Sequence, residues 1–101
     1  MYINIFYPKD ISHLRVKYKS RLFFSKTDYV HRNGVYSHKE QGSIFALTKG
    51  STHICVEYST VEIFTFINSF LQSVFGDSLI GIEFSENICP IAIHSLNYIL
   101  L

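Results

Sequence analysis

The sequence predicts an α+β domain, a mostly antiparallel sheet with one amphipathic helix packed on one face. Three observations predict it. Short stretches of alternating apolar and polar residues recur along the chain, separated by turn residues. An Asn33-Gly34 pair sits between two such stretches. One long segment, residues 59–76, instead carries a helical period with no misplaced position.

At 101 residues the chain has room for one domain, residues 1–101. Its composition, 48% hydrophobic with nine Phe and seven Tyr, fills a core without disulfide or metal support. Two prolines and five glycines leave no basis for a disordered or repetitive array.

Residues 1–7 alternate Ile3, Ile5 and Tyr7 with Tyr2, Asn4 and Phe6, the pattern of a first strand closed by Pro8. This segment lacks a basic n-region and a small-residue cleavage site, so no signal peptide is expected and the cytoplasm is the predicted compartment. The apolar runs at 63–75 and 88–101 are too short and too interrupted to span a bilayer, and no membrane association is expected.

Over 13–22, Leu14, Val16, Tyr18 and Leu22 alternate with Arg15, Lys17, Lys19 and Arg21. This period of two predicts a strand with one buried and one basic face. A helix is the rival, because Ile11, Leu14, Tyr18 and Leu22 also share one helical side. Residues 26–38 read as a hairpin, since Asn33-Gly34 accepts the positive φ angles of a type I′ turn. Residues 43–48 and 52–58 continue an antiparallel meander around Lys49-Gly50-Ser51.

The helix at 59–76 has a capping-box signature, Ser59-Thr60-Val61-Glu62, and a Gly76 stop. Ile63, Phe64, Phe66, Ile67, Phe70, Leu71, Val74 and Phe75 fill its apolar half, and Thr65, Asn68, Ser69, Gln72 and Ser73 an almost uncharged polar half. Residues 79–84 read as a strand. The tail at 90–101 fits either element, with its β-branched residues inclining it to a strand.

Charge is distributed unevenly. Nine cations and three acids lie in the first fifty residues, a net of +6, and the remainder carries five acids and no Lys or Arg, although the whole chain nets only +1. The acidic half offers Glu57, Asp77, Glu83 and Glu86 as a face for a cationic protein partner. The basic row Arg15, Lys17, Lys19 and Arg21, spaced about 6.8 Å apart along a strand, could instead track nucleic-acid phosphates. Such a row also protects an edge strand from aggregation.

Chemistry-bearing motifs are sparse. His13, His31, His38, His53 and His94 lack metal-ligand spacing, and neither Cys55 nor Cys89 belongs to a CxxC, so no metal or cofactor is expected. Both cysteines sit among apolar neighbours, as packed thiols do. His31 and His38 flank the turn and could face each other as acid and base of a small RNase-like enzyme.

In size, tyrosine-rich α+β character and absence of a catalytic motif, the chain resembles the immunity proteins of bacterial contact-dependent growth inhibition systems. That resemblance implies a small inhibitor that neutralises a toxin domain, such as a nuclease, by stoichiometric binding. A nucleic-acid-binding module and an RNase-like enzyme are the alternatives.

Overall fold

The computed structural model describes residues 1–40, 42–47 and 52–86. The elements run β1 (Tyr2–Phe6), α1 (His13–Phe24), β2 (Val30–Arg32), β3 (Val35–His38), β4 (Ser43–Leu47), β5 (His53–Glu57), α2 (Ile63–Phe75) and β6 (Gly81–Ser85). The six strands form one antiparallel sheet in the order β2-β3-β4-β5-β1-β6. The α+β architecture is therefore as the sequence pattern predicts, with a second helix added.

Strands β2 to β5 form a meander, and its first turn is the Asn33-Gly34 pair at φ 53° and 79°. Two positive φ angles in succession are what a type I′ hairpin demands, and Gly34 supplies the second without a Cβ penalty. The remaining connections are crossovers. β1 and β2 point the same way, as do β5 and β6 on either side of β1, so the chain must return along the sheet each time. α1 makes the first return and α2 the second.

This topology bears on residues 13–22, where the structure has a helix and the alternation predicts a strand. A helix of 12 residues is about 18 Å long, enough to carry the chain back past a strand of five residues, about 17 Å. Ser12 caps it, its hydroxyl accepting from the Leu14 N–H at 3.2 Å. Val16, Ser20 and Phe24, one turn apart, form the buried line. Leu14, Tyr18 and Leu22 point outward, so of the residues that the two readings bury only Val16 of the strand and Ile11 of the rival helical side are in the core.

α2 confirms its predicted apolar face: Ile63, Ile67, Phe70, Val74 and Phe75 are buried, with Phe64, Phe66 and Leu71 packed around them. The capping box at 59–62 does not form. Those residues turn before the helix, the N–H groups of Ile63 and Phe64 bonding to the carbonyls of Thr60 (3.3 Å) and Val61 (3.0 Å), and Glu62 makes no side-chain cap. Backbone acceptors thus satisfy two of the first N–H donors of the helix. Gly76, at φ 59°, ends the helix as predicted, its N–H bonded to the Gln72 carbonyl.

Both helices lie on one side of the sheet. Ile3, Ile5, Tyr36, Phe45, Leu47, Ile54 and Val56 face them and share one core with Val16, Phe24 and the α2 stripe. Phe24 is the centre of its aromatic part. Its ring stacks on Tyr36 at 4.2 Å and 16°, and lies within 6.1 Å of Phe23, Tyr29, Phe45, Phe66 and Phe70. On the opposite face Ala46 and Cys55 form a smaller cluster with Tyr2 and Val35 against it. β6 begins two residues later than predicted, and Ile82 and Phe84 occupy the helix-side positions beside Ile5 and Ile3. Cys89 and the tail at 90–101 lie outside the described residues.

The helical register can be tested by substitution. Phe24→Ala is expected to cost about 3–5 kcal/mol by removing a buried ring, whereas Leu22→Ala costs under about 0.5 kcal/mol. Urea denaturation of both variants checks this, and a larger loss for Leu22→Ala would mean that the helix is turned the other way.

Candidate functional site

Successive residues of α1 are turned by about 100°, so burying Val16, Ser20 and Phe24 fixes what the outer surface presents. Leu14, Tyr18 and Leu22 form its outermost line, 73%, 64% and 51% exposed. Arg15 and Lys19 run along one side of this ridge, and Lys17 and Arg21 along the other. The helix contains no acid. The four predicted cations are therefore two pairs flanking an apolar ridge about 12 Å long, and the even strand spacing that suited a phosphate row is absent.

Beside the ridge, Lys19, Leu22, Phe23, Lys26, Thr27, Phe66, Ser69 and Ser73 line a groove of about 540 Å³ between the two helices. Its floor is aromatic because Phe23 and Phe66 meet edge to face at 5.1 Å. Across the groove stand Thr65, Asn68, Ser69, Gln72 and Ser73, exposed and uncharged. The helix layer thus offers a ridge, a groove and a polar slope that loses little on desolvation.

On its other flank α1 meets the β2–β3 hairpin. His31 stacks on Tyr36 at 4.5 Å and 24°, continuing the stack that begins at Phe24. The Gly34 N–H donates to His31 Nε2 at 3.3 Å. Burial pushes the Tyr36 phenol pKa up, and the positive charge of Arg21 partly opposes that push. Burial holds the His31 pKa below its ordinary value, and the positive charges of Arg21 and Lys17 lower it further. No sequence signal pointed to this corner, because it joins a helix flank to a strand whose position only the topology supplies.

The predicted acidic face is brought together in part. Glu57 lies beside Tyr2, and Glu83 beside Asn4, so both project from the sheet face opposite the helices, and Glu86 follows the end of β6. Asp77 sits just after α2, at the other end of β6.

The hairpin histidines do not face each other. The register pairs His31 with Tyr36 and Val30 with Ser37, and His38 instead lies edge-on to Tyr29 at 5.1 Å. An acid–base pair across the turn is therefore not formed. His13 Nδ1 meets the Tyr7 hydroxyl at 3.1 Å. Among the described residues no three His, Cys, Asp or Glu side chains are grouped to hold a metal ion, and no helix is long and apolar enough to cross a membrane.

His53 has a structural role. It is 2% exposed, its Nε2 is 2.8 Å from Asn4 Oδ1, and Phe6 lies over its ring at 4.9 Å. Burial lowers its pKa to about 4.

No family model, curated protein or solved structure matches the chain. The functional reading therefore rests on its own surface.

The His53 environment has a pH signature. Below pH 6.5 the unfolded chain binds a proton at this residue that the folded chain refuses until about pH 4, so stability falls as pH drops through that window. The difference in urea midpoint between the native chain and a His53→Gln variant, followed from pH 7 to pH 4, should shrink as acid is added. A constant difference would place the His53 pKa near its unfolded value.

Proposed function

We propose that this chain is a small stoichiometric protein-binding inhibitor, of the immunity-protein or antitoxin kind, acting in the cytoplasm. It docks its partner on the outer face of α1. The observation that carries this reading is the ridge of Leu14, Tyr18 and Leu22 standing in solvent between two cationic pairs. Isolated exposed apolar side chains are ordinary, but three in register on one helix make a line that fits a groove. Affinity at interfaces comes from apolar and aromatic anchors that become desolvated, while flanking charges set approach and register.

The partner's docking site is accordingly acidic and grooved. This moves the centre of the interface from the acidic residues Glu57, Asp77, Glu83 and Glu86 to the basic helix. A toxin domain remains the class of partner that suits a small blocker, but one engaged at an acidic surface and not through a cationic nuclease cleft.

The cations also favour a nucleic-acid-binding reading, through phosphates on either side of α1. The ridge argues against it. A helix lying in a DNA groove directs polar donors at base edges along its outermost line, and here that line is Leu, Tyr and Leu.

Affinity capture followed by light scattering of the purified complex tests the proposal. A single protein bound one to one, resistant to nuclease and moderate salt, is expected. A Tyr18→Ala/Leu22→Ala variant should weaken that complex by about a hundredfold or more with an unchanged melting temperature, since the ridge lies outside the core. Full binding by this variant would refute docking on α1, and recovery of nucleic acid lost at moderate salt would establish the second reading instead.

A further inference from the structure

The corner between α1 and the β2–β3 hairpin collects hydrogen-bond donors and positive charge around one aromatic stack. Lys17 and Arg21 are one helical turn apart on the flank that faces the hairpin. Phe24, one turn further on, stacks on Tyr36, and Tyr36 stacks on His31, so three packed rings fix the distance between helix flank and strand. Because His31 Nε2 accepts from the Gly34 N–H, the neutral ring carries its proton on Nδ1 and presents a donor there. Arg21 and His31 are exposed and Lys17 is half-buried, so the corner is open to solvent.

We infer that Lys17, Arg21 and His31 form a binding site for a phosphate monoester. The three side chains come from two turns of a helix and a facing strand, and such a spread suits the three free oxygens of a phosphate better than the two coplanar oxygens of a carboxylate. A dianion also answers the charge of the site. Lys17 and Arg21 each disfavour protonation of His31, and a bound phosphate reverses the sign of the local field. Phosphate and His31 protonation should therefore assist each other, as linked equilibria must. The charged and titratable groups facing the ring are Lys17 and Arg21 from α1 and Tyr36 from β3.

The inference goes beyond protein docking and does not depend on it, since Tyr18 and Leu22 take no part. The test is a titration of the native chain with inorganic phosphate at fixed ionic strength, followed by NMR at the His31 ring and the Gly34 amide. Saturable shifts are expected, with the His31 pKa raised by about one unit, a tenfold linkage. Lys17→Gln and Arg21→Gln should each weaken phosphate binding by about tenfold, while the Tyr18→Ala/Leu22→Ala variant binds phosphate as the native chain does. Acetate at equal concentration should produce little shift. Absence of saturation, an equal response to acetate, or undiminished binding in a Lys17→Gln/Arg21→Gln double variant would each overturn the site.

Discussion

The rotation of α1 about its own axis decides what this protein shows to its surroundings, and the packing of Phe24 sets that rotation. Six other rings lie against Phe24, among them Tyr36 and Phe45 from the sheet and Phe66 and Phe70 from α2. Turning the helix by even one residue would exchange this ring for Ser25 or Phe23 and would open the aromatic core. With Phe24 held, Val16 and Ser20 must also point inward and Leu14, Tyr18 and Leu22 outward. The apolar ridge is thus a consequence of the core, as is the approach of Lys17 and Arg21 to the hairpin. Domains of this size hold only about 5–15 kcal/mol in total, so the aromatic packing that orients the helix also accounts for a large part of its stability.

The topology explains why the charges separate although the two halves of the chain interleave. β1, from the basic half, lies between β5 and β6 from the acidic half. Such mixing would cancel the asymmetry if β1 carried charge, but Tyr2, Ile3, Asn4, Ile5 and Phe6 carry none. Four of the nine basic residues, Arg15, Lys17, Lys19 and Arg21, instead lie on α1 above one face, while Glu57 and Glu83 emerge from the other, which also carries Arg32 of β2. Interleaving of strands and segregation of charge are therefore compatible.

How much of this is legible in sequence depends on how local the cause is. The Asn33-Gly34 turn follows from two residues and their φ angles, and the α2 face from a period that no strand can imitate. Both emerge as read. Residues 13–22 do not, because charges at 15, 17, 19 and 21 satisfy a period of two equally well when they straddle the outer arc of a helix. What separates the readings is the crossover between parallel strands β1 and β2, a fact of topology. Ser59 is not the N-cap of α2 for a similar reason: the chain leaving β5 turns first, and the helix begins only at Ile63 with Glu62 at the cap position. The candidate surfaces follow the same division. The cations are legible as a set, but the ridge between them is not, because the apolar Leu14, Tyr18 and Leu22 match a core face in either period. The acidic group was likewise visible, and only the strand register shows Asp77 standing apart from Glu57 and Glu83.

Segregated charge on a chain of net charge +1 has a kinetic consequence distinct from affinity. A nearly neutral molecule feels little net attraction at long range, but one that gathers four cations and no acid on α1 is turned as it enters a partner's field. On the docking proposed above, that turning would present α1 to an acidic partner surface before contact, and it is screened beyond about 8 Å in physiological salt. The ridge acts later, once water has been expelled, and its contribution is not screened. On the docking proposed above, Arg15, Lys17, Lys19 and Arg21 would govern association, and Leu14, Tyr18 and Leu22 residence time. A helix docked on nucleic acid would show the opposite order, with charge governing both steps, so the salt dependence of association and of residence time separates the proposed docking from its alternative.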